Sequence, residues 1–475
     1  MGFSAGGICR AAELRKRRIA DGLEMCMDTH FILKGNIFHS LTPREIAMVP
    51  DGLLVCDGGI SGGIYAAYSE LPRRYQTYPI KDMSGMLIIP GMSDLHVHAP
   101  QYTFRGLGMD MELLEWLGKN AFPEEARYKE LDYADKAYGI FVEDLIRSAT
   151  TRAAIFATVH VPATRLLMDK LEASGLVTCV GKVNMDRNSD DTLREATAGR
   201  SLEATEQWIY ESIRAGYRRT QPIITPRFTP SCSDELMEGL GRMRVKYHLP
   251  VQSHLSENYS EIEWVKELCP WSSCYADAYD RFGLLGDIRW SANIISDGTN
   301  QEYPSGAIMA HCVHCTEEEI RMLKERGTYI AHCPQSNINI ASGAAPVRTF
   351  LNRGMKVGLG TDIAGGASIS LFRTMVDAIS VSKLRWRLVD QALKPLTFEE
   401  AFYMATAGGG EFFGRVGRFE KGYEFDALVI DDSRYRAARV MEPRERLERF
   451  IYLAEGAGDI VEKYVAGREI LNERL

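Results

Sequence analysis

No stretch of the 475 residues reaches the ~18 consecutive apolar positions that a membrane helix needs. Positive charge is not in surplus either: 56 Lys+Arg stand against 64 Asp+Glu, a net charge of −8. That balance argues against a surface that coats nucleic acid. Ten cysteines are spread along the chain with no dense short-spaced framework, which reads as free thiols in a reducing cytoplasmic compartment. The N-terminus has no signal-peptide apolar region, and Gly6 stands where a myristoylation signal wants Ser or Thr. Tandem repeats and low-complexity blocks are missing. Two cofactor or metal signatures are also missing. Gly358-Leu359-Gly360 fails the dinucleotide fingerprint because Ile363 stands at its last position, and no P-C-x-x-C accompanies a His-x-Glu step as cytidine-type zinc deaminases require.

What is present describes a soluble globular protein with a large core. The chain is 45% hydrophobic and 25% charged, and its 42 Gly and 18 Pro are scattered rather than periodic. The length fits two or three domains, or one (β/α)₈ barrel of ~250 residues or more with an accessory domain.

Residues 1–26, with the basic run Arg15-Lys16-Arg17-Arg18, read as a disordered extension ahead of a working chain that starts near Met25 or Met27. Residues 27–90 are β-like: Phe31-Ile32-Leu33, then Gly52-Leu53-Leu54-Val55-Cys56 and the hairpin signal Asp57-Gly58. Residues 411–475 are similar, with one strand expected from Phe425 to Asp431 and another from Ile460 to Arg468 with a turn. Between them the pattern alternates. A helix is expected from Leu131 to Arg147, and one capped by Ser233 across Asp234 to Tyr247. A third opens on the capping box Thr316/Glu319 and closes at Gly327. Short apolar strands lie between, ending near Thr158, His254, His311, His332 and Gly360. Repeated helix–strand alternation over residues 91–410 predicts parallel β/α units closed into a barrel. Residues 286–306, with little periodicity, read as an inserted loop.

Five side chains sit where such strands end. His96 and His98 share one side of a strand, because residues two apart point the same way. His254, His311 and Asp362 each follow an apolar strand and precede a loop or helix, which is where barrel enzymes place their chemistry. A His-x-His pair, a third His and an Asp can hold one divalent metal and leave a position for water. Any one of these His taken alone is better read as a structural residue; four candidate ligands at strand ends reverse that judgement. Glu257, three residues beyond His254, is within reach of that point and can shuttle a proton. By itself it would be an ordinary solvated glutamate.

These residues form recognisable strings. Pro90-Gly91-Met92-Ser93-Asp94-Leu95-His96-Val97-His98, His254-Leu255-Ser256-Glu257, His332-Cys333-Pro334-Gln335-Ser336-Asn337 and Gly358-Leu359-Gly360-Thr361-Asp362 resemble the amidohydrolase superfamily. A closer likeness, to its guanine-deaminating members, rests on His98-Ala99-Pro100-Gln101-Tyr102, Leu114-Glu115-Trp116-Leu117, Thr225-Pro226-Arg227-Phe228 and Thr361-Asp362-Ile363-Ala364-Gly365-Gly366. The likeness runs from about Gly91 to Gly410, with a looser echo in Gly422-Tyr423-Glu424-Phe425-Asp426-Ala427; residues 1–26 and 286–306 depart from it. It implies a distorted TIM (β/α)₈ barrel with a small composite β-sandwich built from both chain ends. It also implies one Zn²⁺ per chain on His96, His98, His254 and Asp362, with Fe²⁺ as the other ion such a set accepts. Glu257 then shuttles protons, His311 orients the attacking hydroxide and Asp362 accepts a proton. Gln101 and Arg227 hydrogen-bond the purine, Phe228 packs beside it, and His98 and His254 border it. The implied reaction is hydrolysis of guanine to xanthine and ammonia by a cytoplasmic homodimer.

Competing readings are weaker. Cys312-Val313-His314-Cys315 has zinc-knuckle spacing but lacks a second C-x-x-C. Gly59-Ile60-Ser61-Gly62-Gly63 matches a nucleophile elbow in a hairpin region where no elbow belongs. Trp208, Tyr210 and Ser212 read as packing residues. A related deaminase of another aminated ring (8-oxoguanine, a pterin or an s-triazine) is the nearest rival, and a catalytically silent barrel the more distant one. The first would favour loss of Arg227 or Gln101, the second loss of a ligand or of Glu257, and all are present.

Overall fold

The computed structural model describes residues 29–286, 306–454 and 457–471. The extension expected at 1–26 lies outside the described residues, as does the insertion expected at 286–306 apart from its two end glycines. β1 (His30–Thr42) pairs antiparallel with β2 (Glu45–Asp57). That strand turns through Gly58 (φ +66) and Gly59 (φ +85) into β3 (Ile60–Tyr65), left-handed backbone that glycine adopts without cost. β4 (Ile80–Pro90) lies parallel to β1.

Gly91 then hands the chain to the second sheet. Its strands are β5 (Met92–His98), β6 (Thr150–Phe156), β7 (Val177–Gly181), β8 (Val183–Asn184), β9 (Thr220–Pro222), β10 (Thr225–Pro226), β11 (Val251–Leu255), β12 (Ala307–His311), β13 (Tyr329–His332) and β14 (Lys356–Leu359). Eight of them form a parallel sheet in the order β11-β12-β13-β14-β5-β6-β7-β9, while β8 and β10 pair separately. Ile224 closes the ring: its N–H donates to Pro250 O at 2.9 Å and its carbonyl accepts Gln252 N–H at 2.9 Å, so the β9 end meets β11. The barrel is distorted where β14 meets β5 through the single pair Leu359–Asp94 and where β5 shifts register against β6. Every residue of β5 and β6 is buried, as strands covered on both faces require. Leu95, Ala154, Cys179, Ile308, Ala310 and Ala331 pack inside, with Phe412 and Phe413 against them.

The expected helices are present. Leu131–Arg147 covers the barrel with one apolar face; Ser233 caps Asp234–Tyr247; Thr316 and Glu319 form the capping box of Glu317–Arg326, which ends at Gly327. Tyr210 departs from expectation: it is 52% exposed on Ala198–Ala215, whereas Trp208 on the same helix is fully buried. Positions two apart on a helix face different ways, so they do not share an environment.

After the barrel, β15 (Ala427–Ile430) pairs with β4 and with β16 (Ile460–Val465), which turns into β17 (Arg468–Glu469). Both chain ends thus form one seven-stranded sheet, β17-β16-β15-β4-β1-β2-β3. It curls until its two turns touch: Phe425 N–H donates to Gly59 O at 2.9 Å, and Gly467 N–H to Phe425 O at 2.8 Å. Phe31, Leu33, Ile88, Val429 and Tyr464 fill the space enclosed. This is the small composite β-sandwich. The strand expected from Phe425 to Asp431 is shorter, because Phe425 and Asp426 turn to meet Gly59 and Arg152. No helix among the described residues is long and apolar enough to cross a membrane.

Candidate active site

The C-terminal ends of the barrel strands gather the expected residues at one point. His98 and His311 are the last residues of β5 and β12, and His254 is the penultimate residue of β11. At or just beyond three strand ends the backbone turns sharply: Ser256 (φ 49), His311 (φ 72), Cys312 (φ 50) and Asp362 (φ 46) are left-handed without being glycine. Strained backbone of this kind persists where surrounding structure enforces it and side chains must be aimed. Gly360 is required beside it, because a Cβ there would lie 2.8 Å from Cys333 Sγ and 2.9 Å from His96 Cβ.

His98 Nε2 lies 3.2 Å from both His96 Nε2 and His254 Nε2, and Asp362 Oδ1 lies 3.2 Å from His96 Nε2 and 3.5 Å from His98 Nε2. Burial holds all three imidazoles below their ordinary pKa, so they are neutral. The Nδ1 proton of His254 goes to Arg227 O at 2.6 Å, which leaves a lone pair on Nε2 facing the cluster. Three imidazole Nε2 atoms and one carboxylate thus crowd one buried point, and nitrogen and carboxylate donors gathered this closely fit a divalent cation. Burial would raise the Asp362 pKa, yet His96, His311 and His98 hold it below the usual carboxylate range. Cys333 is also close, and burial pushes its thiol well up. The zinc-knuckle spacing at Cys312 and Cys315 forms no metal-ready group among the described residues.

Opposite this set, Glu257 Oε2 stands 3.4 Å from His311 Nε2, which is 3.8 Å from Asp362 Oδ2. Glu257 is 3% exposed. Burial, then Glu261 and Asp362, push its carboxyl well above the ordinary range, while Ser342 Oγ, donating to Oε1 at 3.2 Å, opposes them. His311 Nδ1 bonds Asn337 Oδ1 at 2.8 Å, which turns its other nitrogen toward Glu257 and Asp362.

On the remaining wall, Gln101 Nε2 donates to Glu125 Oε1 at 2.8 Å and Gln101 Oε1 accepts Ala364 N–H at 2.9 Å. Arg227 pairs with Glu125 Oε2, and its guanidinium lies 5.0 Å from the centre of the Phe122 ring. Phe228, Trp116, Leu113 and Ile340 complete a pocket that opens to solvent. His98, Gln101, Arg227, Phe228, His254, Glu257, His311 and Asp362 all line it, and His96 lies directly behind. The nine residues that the sequence assigns to the site are therefore in one place.

Four neighbours were not singled out. Asp94 accepts Thr361 N–H at 3.0 Å, Thr361 Oγ1 at 2.5 Å and His96 N–H at 3.2 Å, tying β5 to the Asp362 turn. Asn337 sits within a quoted string but carried no role. Glu261 accepts the N–H groups of Glu257 and Asn258, fixing the Glu257 loop. Asn258-x-x-Glu261 is a capping box, a signal that was readable. Glu125 had no signal: a second glutamate in a helical first turn reads as a dipole partner.

The chain has relatives among known proteins. The amidohydrolase family model matches residues 87–467. The chain is 38% identical to a guanine deaminase of Mus musculus, over 93% of this chain and 96% of that one. It is 35% identical to one of Dictyostelium discoideum, over 92% and 98%. Among solved structures it resembles guanine deaminase from C. acetobutylicum with bound guanine in the active site, at 45% identity and a TM-score of 0.85, covering 93% of this chain and 99% of that one. The chain belongs to the amidohydrolase family, as a relative of its guanine deaminases.

Proposed function

We propose that the protein hydrolyses guanine to xanthine and ammonia. The observation that carries this reading is the meeting, in one pocket, of the His96/His98/His254/Asp362 donor set with the buried pair Gln101 and Arg227. The donor set would hold one divalent ion per chain, zinc with Fe²⁺ as the alternative, which when bound supplies Lewis acidity and lowers the pKa of water toward ~7.

The chain's own groups then divide the proton work. His311, with Nδ1–H committed to Asn337, offers its Nε2 lone pair to a water between Glu257 and Asp362. Glu257 takes the first proton of that water as its oxygen bonds to C2 of guanine, and delivers the proton to the neighbouring ring nitrogen. Asp362, held as a carboxylate, accepts the second proton and passes it to the amino nitrogen; the C2–N bond breaks and ammonia departs. Charge building on the ring is met at the O6 edge by Arg227. Gln101 hydrogen-bonds the same ring and Phe228 packs against its face. Residues 91–410 are the catalytic unit in this reading.

A homodimer is part of the proposal, with exposed Leu384, Leu388 and Val389 as apolar surface for a second copy. So is a cytoplasmic location, which the free thiols of all eight described cysteines suit. A substrate panel tests the function: ammonia release and the ultraviolet change toward xanthine should be fast for guanine and slow for adenine, cytosine, 8-oxoguanine, a pterin and a triazine. Silence on guanine with turnover of another ring refutes the assignment of Gln101, Arg227 and Phe228.

A further inference from the structure

We propose that Glu125 sets the charge preference of the pocket: by pairing with Arg227 it makes the ring-recognition wall electrically neutral, so that the site takes up an uncharged ring and lets go of an anionic one. This rests on the proposed function, in which Arg227 and Gln101 face the ring.

Glu125 is 1% exposed and spends both oxygens on those two residues, one on Gln101 Nε2 at 2.8 Å and the other on the Arg227 guanidinium. Gln101 is thereby fixed in one amide orientation, since its oxygen is taken by Ala364 N–H at 2.9 Å. An arginine in this position without a partner would be a buried cation, 3% exposed, and would attract any anionic ring that entered. Paired, it keeps its N–H donors while the pair as a whole carries no net charge. The consequence matters for turnover, because xanthine is a stronger acid than guanine and is partly anionic at mildly alkaline pH. A wall that favours the neutral ring discriminates against its own product. Glu125 is thus a positioning and specificity residue that acts through Arg227 and Gln101.

The remaining charged groups at the pocket, Glu257, Glu261 and Asp362, are untouched by a change at residue 125, as is any bound ion. The test therefore compares two competitive inhibitors of guanine turnover in the metal-loaded enzyme at one mildly alkaline pH: xanthine, partly anionic, and hypoxanthine, neutral. Glu125→Gln keeps the shape and frees the Arg227 charge. The ratio of the xanthine to the hypoxanthine inhibition constant should fall by about tenfold or more relative to wild type. A residue that merely supported the fold would weaken both inhibitors together, and an unchanged ratio overturns the proposal. If Glu125→Gln gives no soluble protein, Arg227→Gln decides: removing the cation while keeping Glu125 should hold or raise the ratio, and a fall overturns the proposal. Wild-type protein that leaves guanine unconverted refutes the proposed function instead, so the two failures are distinguishable.

Discussion

At Glu257 two demands meet. The carboxyl must be ionised to take a proton from water, and it must hold that proton long enough to give it to the ring. Burial beside Glu261 and Asp362 raises its pKa and so suits the second demand at the expense of the first. The sign follows directly. Below the raised value the group is protonated and cannot accept, so kcat/KM should fall as pH drops through a point above the ordinary ~4.3 of a glutamate. An acid limb at or below that ordinary value contradicts the assignment. Glu257→Gln should lower kcat by about 10²–10⁴-fold with metal content and guanine binding nearly unchanged. Turnover that survives the substitution removes Glu257 from the mechanism. Asn337→Ala frees the imidazole of His311 to rotate, and should cost about 10–100-fold in kcat while metal content stays at one ion per chain. A loss of metal with no separate effect on kcat would assign Asn337 to the ligand set instead.

Elements show why some of the molecule was legible and some was not. Ser233 and Thr316 with Glu319 announced their helices because an N-cap is a local contract between a side chain and backbone three residues away, and Gly327 announced a helix end because it takes the left-handed backbone that closes one. The His96/His98/His254/Asp362 cluster was legible because strand ends in a barrel converge and two-residue spacing fixes a shared face. Glu125 was not, because its meaning lies in Arg227, 102 residues away. Ring closure was equally hidden: β9 and β10 are three and two residues long, each ending in a proline, and a single residue, Ile224, makes the join. Two buried basic side chains show how elements from distant parts of the chain are held together. Arg152 on β6 forks onto Asp426 at 2.8 and 3.0 Å and reaches Glu424 at 2.8 Å. Lys463 on β16 donates to the carbonyls of Leu145, Ile146 and Ser148 at 2.9–3.1 Å, closing the C-terminal end of Leu131–Arg147. Arg152→Met leaves a buried carboxylate unpaired and should destabilise by about 3–5 kcal/mol in denaturant titration. A loss below ~1 kcal/mol would mean that water reaches Asp426.

For the whole molecule, the curled sheet and the barrel share Gly91, Arg152 and Lys463 but divide the labour. The sheet made from both chain ends fixes where β5 begins, and β5 carries His96 and His98 to the far end of the barrel. The fold does not need the ion to exist: both cores are continuous and apolar, so removing metal should leave the far-ultraviolet circular dichroism intact. Binding to the folded chain alone should still raise stability by about 4 kcal/mol at a thousandfold excess over Kd, read as an upward shift in Tm on reloading. Loss of secondary structure on chelation would make the ion structural rather than catalytic.

The most direct test of the central claim is a titration of zinc into chelated protein while guanine conversion to xanthine is followed by absorbance. Activity should rise in proportion to added zinc, reach a plateau at one ion per chain, and be absent before the first addition. Guanine turnover that is full without metal, or a zinc-loaded protein that never converts guanine, would contradict the account.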